Sequence, residues 1–378
     1  MPHVGAARPA CYGASMAGGL FELRKDAITG WWVAVVVDRE FERQRFQVAA
    51  ERVAAPGAPC QNCAQPAGNG VRVRVLKPQA FSVAGTEREA RESGQDERGP
   101  GLGLLGDCGS WQTIVAPPEH HGSLADESTA IVTEMLARAR DAVAAARGAG
   151  DTDYLQVVQN WGAQAGARTD HLCLDFYDLP QIPHRIGEEL GGAARYLIRE
   201  GVCPYCRLVR DEVANRERVV WEDAASVCFA PYASRSPFEL WVVPRHHDAD
   251  FGRATDEQLT SAAETLQKVL RLLSVLDGPP YNLVLHTAPL RERVDETYHW
   301  HWEIHPRLRQ IAGLELGTGL PVNPVSPEEA VEELLAATRG GATHDTPPSV
   351  DTRLIADGTL AVPVGARGWD EFPREGTR

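Results

Sequence analysis

The chain has 378 residues, 43% hydrophobic and 24% charged, with a formal net charge of -14. That is an ordinary globular composition with length enough for two core-bearing units. The acidic balance excludes a nucleic-acid scaffold but leaves room for a local cationic pocket taking a small phosphorylated molecule. No apolar run approaches a membrane span, and the N-terminus lacks the layout of a secretory leader, so the chain reads as cytoplasmic with no membrane partner.

Residues 1–19, rich in Gly and Ala, read as loose. Residues 21–46 read as a hairpin, turning at Asp26-Ala27-Ile28-Thr29-Gly30 into the β-prone run from Trp31 to Val37. Residues 48–70 are loop-like, 71–83 alternate as a strand, and 84–107 form an exposed insertion dense in Glu, Arg and Gly. A strand is expected at 112–116 and a long helix over 125–147, where good helix formers keep helical periodicity. A strand at 154–160 runs into the turn Asn160-Trp161-Gly162-Ala163-Gln164-Ala165-Gly166, and 170–176 alternates again.

The second half repeats this order. Strands are expected near 218–222, at 227–230 and at 239–244, then a helix over 255–275 and a strand at 281–286. Next comes Tyr298-His299-Trp300-His301-Trp302-Glu303-Ile304-His305-Pro306-Arg307. On a strand it sets His299, His301 and Glu303 on one face and Trp300, Trp302 and Ile304 on the other. Polar groups framed this way are costly unless they bind a metal, a substrate or each other. A helix is expected over 327–338, with Pro at its start and acids in its first turn. Residues 340–378 read as an irregular tail.

Four of the eight cysteines form two C-x-x-C pairs, Cys60/Cys63 and Cys203/Cys206. In a chain without a secretory leader such pairs more often bind metal or do redox work than form disulfides. His120 and His171 follow the first pair, 51 residues apart (171 − 120), and His247 and His299 follow the second, 52 apart (299 − 247). A long helix falls between the two histidines each time, which marks an internal duplication. Each half supplies two thiolates and two imidazoles, the donor set of a closed tetrahedral zinc site. The expected ligands are Cys60, Cys63, His120 and His171 in one half and Cys203, Cys206, His247 and His299 in the other. His121 and His246 are adjacent alternatives. With no open coordination position, both zincs should be structural.

The chain resembles the galactose-1-phosphate uridylyltransferase family, in which two histidine-triad domains are fused. Leu23-Arg24-Lys25-Asp26-Ala27-Ile28-Thr29-Gly30-Trp31-Trp32-Val33 is similar to the family's opening motif. Cys60-Gln61-Asn62-Cys63 and Pro117-Pro118-Glu119-His120 stand at its zinc ligands, and Asn160 to Gly166 at its nucleotide-binding turn. Tyr298 to Arg307 and Gly313 to Gly319 resemble two later motifs. The resemblance covers roughly residues 21–337. It implies an α+β fold of two triad-like domains, each an antiparallel sheet with helices, related by a pseudo-twofold. The expected divisions are 20–195, 196–340 and a tail at 341–378, and the expected assembly is a homodimer.

The resemblance also implies a nucleotidyltransferase acting on a sugar 1-phosphate or a nucleotide sugar. In the family a histidine attacks the α-phosphate and forms a nucleotidyl-imidazole, a role that suits imidazole as nucleophile and leaving group near neutral pH. Here Cys173 stands at that position, Asp175 at the neighbouring glutamine, and Arg168 at a serine beyond Gly166. Asn160, Gly162, Gly166 and Arg168 are the implied nucleotide contacts, with turn amides holding phosphate oxygens. A reactive Cys173 requires a lowered thiol pKa. His301 occupies the duplicate of the attacking position, with Glu303 beside it, so His301, alone or with Cys173, is the other candidate for the chemistry. Glu315, Thr318 and Asn323 match sugar-phosphate contacts, and Glu188, Glu189 and His286 match a second metal position of some members. The alternatives are a divergent phosphorylase, hydrolase or biosynthetic enzyme, and a non-catalytic nucleotide-binding protein.

Overall fold

The computed structural model describes residues 21–36, 50–53, 60, 62, 70–75, 109–117, 123–149 and 152–339. Strands β1 (Phe21–Lys25) and β2 (Trp32–Val36) form the expected hairpin. Its turn is held by the Asp26 carboxylate, which accepts from Ile28 N, Thr29 N and Thr29 Oγ1. Then come β3 (Arg72–Val75), β4 (Ser110–Val115), α1 (Thr129–Ala149), β5 (Tyr154–Trp161) and β6 (Cys173–Leu179). Two helices follow that the sequence reading did not anticipate, α2 (His184–Glu200) and α3 (Pro204–Asn215). The second half continues with β7 (Val219–Glu222), β8 (Ser226–Phe229), β9 (Leu240–Pro244), α4 (Asp256–Leu273), β10 (Tyr281–His286) and β11 (His301–Pro306). The chain then adds α5 (Gly313–Thr318), β12 (Val322–Asn323) and α6 (Pro327–Arg339). Of the expected strand at 71–83, positions 76–83 lie outside the described residues, as do the segment 84–107 and the tail.

Among the described residues β12 joins β1 and β2 in a small sheet, and nine strands form one large sheet in the order β3-β4-β6-β5-β10-β11-β9-β8-β7. The two halves of the chain therefore share one sheet, joined where β5 pairs antiparallel with β10. Asp175, Val158, Val284 and Glu303 lie in one row across β6, β5, β10 and β11. Asp175 and Glu303 are thus equidistant from the seam, which is the duplication in three dimensions.

One face of this sheet is apolar. Ile114, Val157, Leu174, Phe176, Leu283, Leu285, Trp302 and Ile304 project from it into the main core. Helices α1 and α4 cover it. Their apolar residues recur at three- and four-residue intervals, Val132, Met135, Leu136, Ala139 and Val143 on α1, and Leu259, Ala262, Ala263, Leu266, Val269, Leu270 and Leu273 on α4. Thr255 starts α4 with a capping box closed by Gln258. No helix among the described residues is long and apolar enough to cross a membrane.

Helix α2 lies against the hairpin turn through Gly192, where an added Cβ would stand 1.9 Å from the Ile28 carbonyl oxygen. The backbones touch, so neither can give way without moving an element. Gly192→Ala should therefore cost about 1–3 kcal/mol of stability, read as a shift in the urea midpoint. Gly187→Ala is the control, since nothing lies within 4 Å of its would-be Cβ. It should be neutral or slightly stabilising.

Candidate functional site

The other face of the sheet is polar along its central strands. The alternation that buries Trp302 and Ile304 turns His301, Glu303 and His305 to this side, with Asn282, Val284 and His286 on β10 and Gln156 and Val158 on β5. Asp175 and Tyr177 continue the face on β6.

In the N-terminal half the glycine turn is real but closed on itself. Gly162 and Gly166 have φ of 82° and 80°, the left-handed side that favours glycine. Ala163 N donates to Glu51 O, Ala165 N and Ala167 N to Gly162 O, and Gly166 N to Ala163 O. These four amides have backbone partners. The Asn160 Oδ1 accepts from Asn282 Nδ2 at 2.7 Å. The Arg168 guanidinium donates to Asp175 Oδ1 at 2.7 Å and stacks 4.1 Å above the Trp111 ring. Trp111 in turn stacks on Tyr177. Arg168 thus reaches the site, but as the counter-charge of Asp175.

Cys173 lies on β6 two residues before Asp175. Burial, with the Asp175 charge next, pushes its thiol up to about 12. Thiolate attack would need the opposite shift.

His301 is fully buried, ringed by Trp241, Tyr205 and His286 at centroid distances of 4.9, 5.1 and 4.9 Å. Its Nδ1 pairs with the His299 carbonyl at 2.9 Å, and burial, with the charge of His286, pulls the ring pKa down. Its ring lies with Glu189 and His286 in a group whose ligand atoms are close enough to hold a metal. It does not meet Cys173. Strands β6 and β11 run in opposite directions, so the two residues lie on opposite sides of the Asp175–Glu303 row. Three strand spacings and four residue steps put them roughly 20 Å apart.

Glu303 is the centre of a buried charge network. Arg185 donates to both of its oxygens at 2.9 Å, Arg235 donates at 2.9 Å, and His305 and His286 approach at 2.9 and 3.2 Å. Burial opposes its charge, but Arg185 and His286 overcome that and hold the carboxyl well below the usual range. His286 also pairs with Glu189 at 2.9 Å. Against the burial penalty, Glu189 and Glu303 hold the ring up to about 9, so it is an imidazolium at neutral pH. Tyr298 Oη donates to Glu189 as well. Glu188 instead lies by the exposed His184. Glu303 is therefore anchored in a buried charge network.

The sugar-phosphate candidates are also occupied. Asn323 is buried, donating to Ser234 O and Ser236 O and accepting from Val325 N. Glu315 accepts from Arg309, Ala312 N and Val322 N. Thr318 Oγ1 donates to Leu314 O. Glu315 also lines the cavity described below.

The C-terminal cysteine–histidine set does converge. Ligand atoms of Cys203, Cys206, His247 and His299 lie within 4.8 Å of one another. Cys206 Sγ is 3.2 Å from His247 Nδ1 and 3.6 Å from His299 Nδ1. The far nitrogens pair with backbone carbonyls, His247 Nε2 with Asp295 O and His299 Nε2 with Pro244 O. Those bonds place the ring protons on Nε2 and leave Nδ1 lone pairs facing the sulfurs, the arrangement that metal-binding histidines show. A hydrogen bond from Cys203, with His299 nearby, pulls the Cys206 thiol down to about 4, and Cys203 is pushed up in turn. The four residues fit a tetrahedral cation. His246 is exposed and outside the set. In the other half Cys60 Sγ lies 3.8 Å from His171 Nδ1, while His171 Nε2 pairs with Ala116 O at 3.0 Å. Cys63, His120 and His121 lie outside the described residues.

A cavity of about 690 Å³ opens on the polar face over β10 and β11, lined among others by Arg185, Arg235, Asn282, His305, Arg307 and Arg309. Sequence reading passed over these residues. Arg185 rides on an unanticipated helix and Arg235 on an irregular loop. His305 did carry a signal, since it extends the 301/303 alternation by one step.

A profile of the family described as "Domain of unknown function (DUF4921)" matches residues 121–344. The chain is 27% identical over 332 residues to ADP-glucose phosphorylase of Arabidopsis thaliana, covering 82% of this chain and 91% of that protein. It is 28% identical over 190 residues to galactose-1-phosphate uridylyltransferase of Thermotoga maritima, a match that spans 59% of that protein. A solved structure of the Arabidopsis thaliana ADP-glucose phosphorylase with bound ADP-glucose superposes with a TM-score of 0.66 at 26% identity, covering 83% of this chain and 98% of the other. The chain belongs to the DUF4921 family and is a member of the galactose-1-phosphate uridylyltransferase group of fused histidine-triad proteins.

Proposed function

We propose that this chain acts on a nucleotide sugar by direct displacement, without a covalent protein–nucleotide intermediate. The observation that carries this reading is a cysteine, Cys173, on β6 where the resemblance places the nucleophile, so placed that burial, with the Asp175 carboxylate two residues away, pushes its thiol up. The similarity to ADP-glucose phosphorylase over most of both chains supports the substrate class. In the reaction, an oxygen of inorganic phosphate attacks the α-phosphorus of the nucleotide sugar. The bond from that phosphorus to the bridging oxygen breaks, and the sugar 1-phosphate leaves with its electron pair. The acceptor replaces the leaving group on the same phosphorus, so no protein atom needs to bond to it. Uridylyl transfer to a second sugar 1-phosphate is the same displacement with another acceptor. A non-catalytic nucleotide-binding protein is the second reading, favoured by the paired Arg168 and the closed glycine turn.

The test is incubation with ADP-glucose or UDP-glucose and inorganic phosphate, followed by phosphorus NMR of products and mass spectrometry of the intact protein. Release of a sugar 1-phosphate with no added mass, and turnover within about threefold in Cys173→Ala, is the expected result. A nucleotidyl adduct lost in Cys173→Ala sinks direct displacement. Binding without turnover of any nucleotide sugar leaves the binding-protein reading.

Zinc in both cysteine–histidine sets, a homodimer and a cytoplasmic setting belong to the same proposal. The donor sets support the first. Exposed Phe21, Leu23 and Trp32 on the hairpin support the second, and thiols at all five described cysteines the third.

A further inference from the structure

In the C-terminal cysteine–histidine set, His299 is fully buried, and Cys203 and Cys206 are placed by the first turn of α3. His247 is the ligand held least by its own segment, since it lies past the end of β9 and is half-buried. On its far side the ring meets Asp295 O at 2.6 Å, so its tilt follows the loop between β10 and β11. Asp295 is exposed there. An exposed loop with few buried contacts fixes nothing unless something fixes the loop.

Arg253 does so. Its guanidinium donates twice to Asp248 Oδ1, at 3.1 and 2.6 Å, and lies 2.7 Å from Asp295 Oδ1. Asp248 directly follows His247, and its carbonyl accepts at 2.9 Å from Trp300 N, directly after His299. One side chain therefore joins the neighbour of one ligand to the loop that orients it, and Asp248 carries the link on to the second. Arg253 is itself anchored at the end of a short helical turn, Phe251–Arg253, where its N donates to Asp250 O. Phe251 in that turn is fully buried, with its ring 5.2 Å from Trp300 and 5.8 Å from Trp302. An isolated surface ion pair contributes little. A planar guanidinium fixed at its base and shared by two carboxylates loses less freedom on pairing.

We propose that Arg253 is a positioning residue for the C-terminal metal site, clamping Asp248 to Asp295 so that the His247 ring is set before a metal binds. The inference rests on the zinc reading of that site. The guanidinium cannot ligate, having donors and no acceptor. It acts by pre-organisation, because a ring already oriented costs less to order when the metal arrives. The bonded Asp295 carbonyl also keeps the His247 proton on Nε2 and its Nδ1 lone pair toward Cys206, 3.2 Å away.

Competition for zinc between the full chain and a chromophoric chelator tests it, the C-terminal site being the zinc equivalent that Cys206→Ser lacks. Arg253→Ala should weaken that equivalent by roughly tenfold to a hundredfold and leave the other unchanged. Asp295→Asn keeps the backbone carbonyl but loses the charge. It should act in the same direction, and adding it to Arg253→Ala should add little. Cobalt-loaded Arg253→Ala should keep the absorption of a four-coordinate site with two sulfurs, since no ligand is lost. Arg291→Ala is the control. Arg291 is on the same loop and equally exposed, 52% against 50% for Arg253, but pairs with Asp153. It should change nothing. Unchanged zinc affinity in Arg253→Ala overturns the proposal, and so does an equal loss in Arg291→Ala, which would make the effect one of general charge. Loss of both zinc equivalents in Arg253→Ala overturns it as well, as unfolding rather than positioning. A wild-type chain that holds no zinc at this site fails the zinc reading and the clamp with it, whereas one that holds zinc equally well without Arg253 fails the clamp alone.

Discussion

Cys206→Ser is expected to remove one of two zinc equivalents per chain and to lower the thermal midpoint by roughly 10 °C or more. The size follows from what the site ties together. Cys203 and Cys206 flank the first turn of α3, His247 follows β9, and His299 precedes β11. These segments converge on a satellite core of Tyr205, Val227, Phe229, Trp241, Val243 and Tyr298, which is far smaller than the core under α1 and α4. A small apolar cluster of this kind gains much from a metal crosslink. Serine is a poor zinc ligand and cannot take over the thiolate charge that Cys206 carries at neutral pH. Cys228→Ser is the control, because Cys228 is a buried thiol pushed up by burial and outside the ligand set. It should keep both equivalents. Metal analysis and a melting curve decide the matter, and a Cys206→Ser protein with unchanged zinc content removes the site.

What was legible in the sequence is what period and spacing record. Alternation over residues 299–305 placed Trp302 and Ile304 in the core and the histidines opposite. Matched histidine spacings exposed the duplication that the Asp175–Glu303 row displays. What was not legible is which polar group pairs with which. Asn323 reads as a ligand contact until its amide is seen bridging Ser234 and Ser236. The turn at Gly162 and Gly166 reads as a glycine turn, but that Ala163 N would meet Glu51 O and Ala165 N and Ala167 N would meet Gly162 O is not in the sequence. Helix α2 went unread although Ile186, Glu189 and Ala193 recur at helical spacing on its buried side. With it went Arg185, the main partner of Glu303. Helix α3 had a readable start, since Pro204 stands in its first turn.

Glu303→Gln should destabilise the chain by about 3–5 kcal/mol, the usual effect of removing one partner from a buried ion pair. The substitution keeps the shape and removes the charge, so the loss reports electrostatics rather than a cavity. Arg185 and Arg235 would each retain one acid, Glu189 and Glu239. His286 would retain only Glu189. The pH dependence carries the sign. Glu303 is held well below the usual carboxylate range, so its contribution is present above that range and is lost as pH falls through the lowered value. His286 is held up to about 9, so its contribution is complete below the ordinary histidine range and is lost as pH rises through about 9. Removing the Glu303 charge deletes the acid limb that Glu303 supplies and moves the alkaline limb to lower pH, because one of the two carboxylates holding His286 protonated is gone. Urea midpoints measured from pH 4 to 10 on both proteins would show this as an alkaline fall that begins at lower pH in the variant, without a Glu303-dependent fall on the acid side. A variant that loses stability equally at every pH would instead mean that Glu303 acts by packing alone, and the charge network would lose its claim to hold the C-terminal half-sheet together.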